Sequence, residues 1–238
     1  LDVEWAHAIA PNANILLVCA DSATTGDLLK AIDTARKTPN VVVVSNSYGI
    51  PEQYTTAADL VPFDQMFVTP AGHNGVSFTV STGDHGEVGF PAVSARALAV
   101  GGTELFVDAS NNYLGEMVWN DGDATTGGGM STLVPKPAFQ TGFDTGGTGR
   151  GIPDVSFSAR DVPVYAADLG GWVAMSGTSY SCPMWAGLVA LADGIRFSKG
   201  LDSLASVQEV VYKLPKNDFH DVTVGDNAFG GGGGYLSL

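Results

Sequence analysis

Apolar positions along the chain follow two rhythms. Residues 14–20 (NILLVCA) and 41–45 (VVVVS) are short unbroken apolar runs, which suit strands buried on both faces. Between them Leu28, Leu29, Ile32 and Ala35 recur at helical spacing, so a helix is expected over 25–37 with Thr24 or Thr25 able to cap its start. The alternation continues with a helix around 54–67, a strand over 76–81 (VSFTVS) and an apolar run at 97–100. Strand, helix and strand in series predict a mainly parallel central sheet flanked by helices, a three-layer α/β fold.

Residues 108–151 shift to Gly, Thr, Asn and Asp, with Gly127-Gly128-Gly129 and Gly146-Gly147 as turn markers, and read as surface loop. Order is expected to return with short strands at 162–167 and 172–175. A helix from about 179 to 197, built on Trp185, Leu188, Val189 and Leu191, follows, and then a second over 204–214. The last stretch, 229–238, carries five consecutive glycines at 230–234, which is either a flexible tail or backbone wrapped closely around something.

Composition sharpens this outline. With 238 residues, 45% hydrophobic and 15% charged, the chain can bury a full core as one large domain, and disorder is excluded. Eleven Lys and Arg against 25 Asp and Glu give a formal charge of −14. Such a field repels phosphate backbones and anionic lipid, so nucleic acid and membrane surfaces are poor partners, and it suits work in acid. Cys19 and Cys182 form neither a framework nor a metal spacing; they read as two buried thiols, with one disulfide as the alternative. No apolar run reaches the ~18 to 20 residues of a membrane span.

Two motifs carry candidate chemistry. Ser176-Gly177-Thr178-Ser179-Tyr180-Ser181-Cys182-Pro183 is a small-residue turn opening an apolar helix. A serine there has its hydroxyl lifted toward solvent with the positive end of the helix dipole behind it, which makes Ser179 a nucleophile candidate. The alternative is that Thr178 or Ser179 is only an N-cap. Ser81-Thr82-Gly83-Asp84-His85-Gly86 sits at the carboxyl end of the 76–80 strand, the edge where open α/β sheets place their sites. Asp84, if protonated, could donate a hydrogen bond to a tetrahedral oxyanion; otherwise it is a turn residue between glycines. His7, His73, His85 and His220 show no paired metal spacing, and His85 alone adjoins a candidate residue. Trp119 and Trp172 read as core or cleft wall, and Asp154 as interior-turn material.

Taken together these motifs resemble the sedolisins, serine-carboxyl peptidases with a subtilisin-like fold. The resemblance is carried by the Ser-Gly-Thr-Ser run with Pro183 four residues past Ser179, and by Ser81-Thr82-Gly83-Asp84 followed by Phe90-Pro91-Ala92 and Val100-Gly101-Gly102-Thr103. It extends to Val118-Trp119 ahead of Gly127-Gly128-Gly129-Met130-Ser131, to Arg150-Gly151-Ile152-Pro153-Asp154-Val155, and to Phe219-His220-Asp221-Val222-Thr223-Val224-Gly225. These stand in the family's order over nearly the whole chain.

The resemblance implies an acid-acting endopeptidase that forms an acyl-enzyme on Ser179, with Asp84 in the oxyanion hole and Asp2 as the catalytic Asp. The family's general base is a Glu one helical turn before that Asp, a position that precedes Leu1. Glu4 cannot replace it, since two residues along a helix turn the side chain ~200° away. The expectation is therefore a single catalytic domain over 1–238 without its N-terminal part, both the prodomain and an upstream strand and helix segment. A catalytically inactive peptide-binding relative and a neutral Ser-His-Asp subtilisin are the alternatives. Polypeptide substrates would lie extended between Ser47-Tyr48-Gly49 and Gly128-Gly129-Met130-Ser131, although Tyr48 and Met130 also suit packing. A structural Ca²⁺ site is implied at the Asp221 carboxylate and the Val222, Gly232 and Gly234 carbonyls; Leu236, where the family has a last Asp, offers no side-chain ligand oxygen. The family also implies secretion or a lysosome-like acidic compartment, an N-terminal propeptide before activation, and a monomer.

Overall fold

The computed structural model describes residues 1–228. The chain runs α1 (Asp2–Ile9), α2 (Thr25–Lys37), β1 (Val43–Asn46), β2 (Ile50–Pro51), α3 (Ala57–Met66), β3 (Ser77–Ser81), β4 (Gly89–Phe90), β5 (Leu98–Val107), β6 (Tyr113–Val118) and β7 (Gly129–Pro135). It continues through β8 (Gly149–Ile152), β9 (Val155–Ser158), β10 (Val162–Ala166), β11 (Gly171–Met175), α4 (Thr178–Ser198) and α5 (Val207–Val211).

The central sheet is mainly parallel, as the alternating pattern predicts. β1, β3 and β5 pair in parallel, β9 joins β5 in parallel, and β6 turns back antiparallel along the outer half of β5. Alternation along β5 feeds two cores. Ala97 and Ala99 join Val76, Phe78 and Val80 beneath Ile32 of α2 and Leu60 and Phe63 of α3, whereas Leu98 and Val100 face Cys182 and Val189 of α4 and Val207 and Val211 of α5. The layers are thus α2 and α3, the sheet, then α4 and α5. Burying each large apolar side chain contributes about 1.5–3 kcal/mol, and aromatic packing such as Phe67 on Phe78, with centroids 5.1 Å apart, adds directionality.

Four expectations need correction. Residues 14–20 form no strand: Ile15, Leu16 and Leu17 are 41%, 51% and 69% exposed, and Cys19 is an exposed free thiol while Cys182 is a buried one. An apolar run becomes a strand only where a neighbour accepts its backbone, and among the described residues none pairs with it. Residues 108–151 are not all loop, because β6, β7 and part of β8 lie there. Gly146, with a φ of 76°, does sit in a bend, whereas Gly127 marks close backbone approach: a Cβ there would stand 2.0 Å from the Thr82 carbonyl oxygen, as one on Gly149 would from that of Ser131. The helices expected over 54–67 and 204–214 are shorter. The first begins after Thr56, whose N–H and hydroxyl both donate to Asp59, at 2.8 and 2.7 Å, and the second is reduced to α5.

Candidate active site

Ser179 is the second residue of α4, immediately after the β10–β11 hairpin, and is partly exposed. The turn that presents it depends on Gly177, whose φ of 156° lies in the region side chains rarely adopt. A Cβ there would also stand 3.1 Å from Asp84 Oδ2, so the close approach of the Asp84 loop to the start of α4 needs glycine twice over.

The Asp84 loop leaves the carboxyl end of β3, as the strand pattern requires. Among the described residues its side-chain hydrogen bonds fall on one oxygen: Oδ1 accepts the Thr178 N–H and the Thr178 hydroxyl, both at 2.8 Å. That hydroxyl accepts the Gly83 N–H at 3.1 Å, so its own proton is free for Asp84. Behind the loop the Thr82 carbonyl is wedged between Gly89 and Gly127, where Cβ atoms would approach to 2.5 and 2.0 Å. The Thr125 N–H donates to the Asp84 carbonyl at 3.0 Å. Thr178 was legible only as a possible helix cap; its function as the clamp on Asp84 appears once β3 and α4 are brought together.

Asp2 opens α1, which lies on α4 where Gly187 lets the helices touch; a Cβ at 187 would be 2.8 Å from Ile9 Cβ. This contact brings Asp2 and Ser179 to one open cleft of about 400 Å³ lined by Leu1, Asp2, Val3, Leu17, Ser47 and Ser179. Burial pushes the Asp2 carboxyl above its ordinary range, only partly opposed by the nearby Ser47 hydroxyl. Asp2 Oδ1 and Ser47 Oγ are both buried, and among the described residues neither makes a hydrogen bond of ordinary geometry. The Tyr180 hydroxyl, also buried without such a bond, is pushed up by burial and then by the negative charges of Asp2, Glu4 and Asp84.

The remaining expected site residues divide between the two flanks. Tyr48 gives its hydroxyl to Asn46 Oδ1 at 3.0 Å, and a Cβ on Gly49 would lie 2.9 Å from the Phe90 carbonyl oxygen. On the other flank the Gly128 carbonyl accepts Asn227 Nδ2 at 3.2 Å. Met130 packs against Gly147 and Gly149, and the Ser131 hydroxyl is bonded to buried Glu52. Of this set only Ser47 lines the cleft with Asp2 and Ser179. None of the four histidines lines it; His85 is tied through its backbone to Thr125. Asp221 is exposed and Val222 buried, while Gly232 and Gly234 lie outside the described residues. Asp154 is structural, paired with Arg150 at 2.6 Å in full burial.

Comparison with known proteins places this arrangement. The subtilase family model matches residues 2–210, and the chain belongs to the subtilase family. Within it the sedolisin resemblance holds. The chain is 34% identical to kumamolisin of Bacillus sp. (strain MN-32) over 95% of its length and 44% of that protein. It is 30% identical to sedolisin of Pseudomonas sp. (strain 101) over 92% of its length and 41% of that protein. It therefore spans under half the length of these curated relatives. Its fold is similar to a solved Pseudomonas sedolisin, a serine-carboxyl proteinase complexed with two molecules of pseudo-iodotyrostatin, at a TM-score of 0.80 and 30% identity, covering 92% of this chain and 66% of that one.

Proposed function

We propose that the protein is an acid-acting serine-carboxyl endopeptidase that cleaves polypeptides through an acyl-enzyme on Ser179. The observation that carries this reading is the one-sided bonding of Asp84. With Oδ1 occupied by two donors from Thr178, a proton on this carboxyl belongs on Oδ2, the oxygen facing Gly177 at the start of α4. A protonated Asp84 then donates from Oδ2 to the oxyanion that forms when Ser179 Oγ attacks a peptide carbonyl, and an ionised one does not. The positive end of α4 acts in the same direction.

Ser179 needs a base to take its proton. Asp2, which lines the cleft with Ser179, is suited to hold a second carboxylate by a shared hydrogen bond. That carboxylate is a Glu from a segment outside these 238 residues. It takes the Ser179 proton during attack and returns it to the leaving amine. The second reading is a non-catalytic peptide-binding relative that keeps the cleft, with Asp2 the one carboxylate lining it among the described residues. Action in acid fits export or a lysosome-like compartment, with an N-terminal propeptide before activation and a monomeric enzyme. Among the described residues no helix is long and apolar enough to cross a membrane.

The test is cleavage of a denatured protein at about pH 3 to 5, where ordinary carboxyls begin to hold protons, with the native upstream segment supplied covalently or as a second chain. Ser179→Ala should abolish cleavage while leaving the fold intact. Asp84→Asn should be far more active at neutral pH, relative to its acidic rate, because an amide donates at any pH. Binding of peptide without cleavage, even with that segment present, would favour the non-catalytic reading.

A further inference from the structure

Glu52 is a buried carboxylate with no part in the chemistry above, 8% exposed just beyond β2. Its Oε2 accepts the Ser131 hydroxyl, and its Oε1 accepts the N–H and the hydroxyl of Thr132, each at 2.7 Å. The Ser131 oxygen itself accepts the N–H groups of Leu133 and Val134, at 3.2 and 2.9 Å. A serine hydroxyl has two acceptor positions and one proton. With both positions filled, its proton goes to Glu52, and all three contacts are donors aimed at an acceptor-only carboxylate.

The main chain of Glu52 belongs to the other flank. Its N–H donates to the Val88 carbonyl at 2.8 Å, directly after the pairing of β2 with β4. β7 needs such an anchor at this place, because its register with β8 shifts between Met130 and Pro135 and the regular ladder does not hold residues 131–134. Burying an anion is costly unless its bonds are directional and complete. Apolar packing would join the two segments without that cost, but it would not fix their spacing.

We infer that Glu52 is a positioning residue for peptide binding: it ties the segment Ser47 to Pro51 to the start of β7, and so sets the separation of the two backbones between which an extended peptide lies. This rests on the peptidase reading above and names the residue that spaces the two flanks.

The experiment uses the whole chain carrying Ser179→Ala, with and without Glu52→Gln, and a labelled unstructured apolar decapeptide as probe. The amide has one acceptor oxygen and turns an NH₂ toward existing donors. The Thr132 amide should exchange at least tenfold faster and the decapeptide Kd should rise about tenfold, with exchange in β3 unchanged. Faster Thr132 exchange with unchanged affinity would reduce Glu52 to a clamp on the fold and overturn the inference; unchanged exchange would overturn it too. Should Glu52→Gln fail to fold, Thr132→Val removes one donor to the same carboxylate and should raise Kd about threefold, no change counting against the inference. If the Ser179→Ala parent binds no decapeptide, the peptidase reading falls and this inference with it, whereas a parent that binds and a variant that binds equally well tell against Glu52 alone.

Discussion

Thr178 and Asp84 are joined twice, by the backbone N–H and by the hydroxyl of the threonine, both at 2.8 Å and both on Oδ1. The first residue of α4 thereby fixes which oxygen of the acid is left to act. Thr178→Val keeps the N–H but deprives Asp84 of one donor and the Gly83 N–H of its acceptor. Losses of buried bonds of this kind cost about 1–3 kcal/mol. Denaturant unfolding should show that loss, Thr178→Ser should recover most of it, and the pH profile of peptide cleavage should move in Thr178→Val and not in Thr178→Ser.

Arg150 and Asp154 are both inaccessible to solvent and meet through paired contacts of 2.6 Å. Burial disfavours the guanidinium charge, but Asp154 opposite it more than compensates and holds Arg150 above its ordinary range. Arg150→Met leaves a buried carboxylate without its cation, a change that costs about 3–5 kcal/mol. Adding Asp154→Asn should return part of the loss, since the neutral amide still accepts the Ala99 N–H that now reaches Asp154 at 2.8 Å. Urea denaturation of the single and double variants measures both effects.

Asp193, wholly buried in α4, is pushed above the ordinary carboxyl value of 3.8 by burial, against the Leu204 N–H and Arg196 that pull it down. The folded state therefore binds this proton more tightly than the unfolded chain does. This contribution to stability is fully present below the unfolded value and is lost as pH rises through the raised folded one. Asp193→Asn removes the titration, so its melting temperature relative to the parent should improve between about pH 3 and pH 7. A constant difference across that range would contradict the assignment.

Calcium gives a fourth expectation. If Asp221 and Val222 contribute to a site, added Ca²⁺ should raise the melting temperature, by the equivalent of about 2.7 kcal/mol at a hundredfold excess over Kd. Chelation or Asp221→Ala should abolish the shift, while Mg²⁺ should not reproduce it.

The layered core was legible because burial on both faces leaves a compositional mark: β3 is apolar or small throughout, and Leu28 to Ala35 keep helical spacing. Ser179 and Asp84 were legible as types of residue in types of turn. Their partnership was not, since nothing in the local pattern around Thr178 reveals that its hydroxyl reaches the end of β3. Glu52 escaped notice because its two partners lie far along the chain, on a strand that its own glycines disguised as loop. Residues 14–20 failed in the opposite direction: hydrophobicity reports a wish for burial, and pairing depends on what else is present.

The same segment governs how this polypeptide behaves in the tube. Among the described residues β1 pairs with β3 on one side only, and beside the cleft Leu16 and Leu17 stand in solvent. An open sheet margin and an extended oily stretch on one molecule invite self-association through backbone pairing. Light scattering should therefore rise with concentration, and lysine in place of Leu16 should suppress it. Cys19 in that stretch adds oxidative cross-linking as a second route, so preparations kept dilute and reduced will remain dispersed longest.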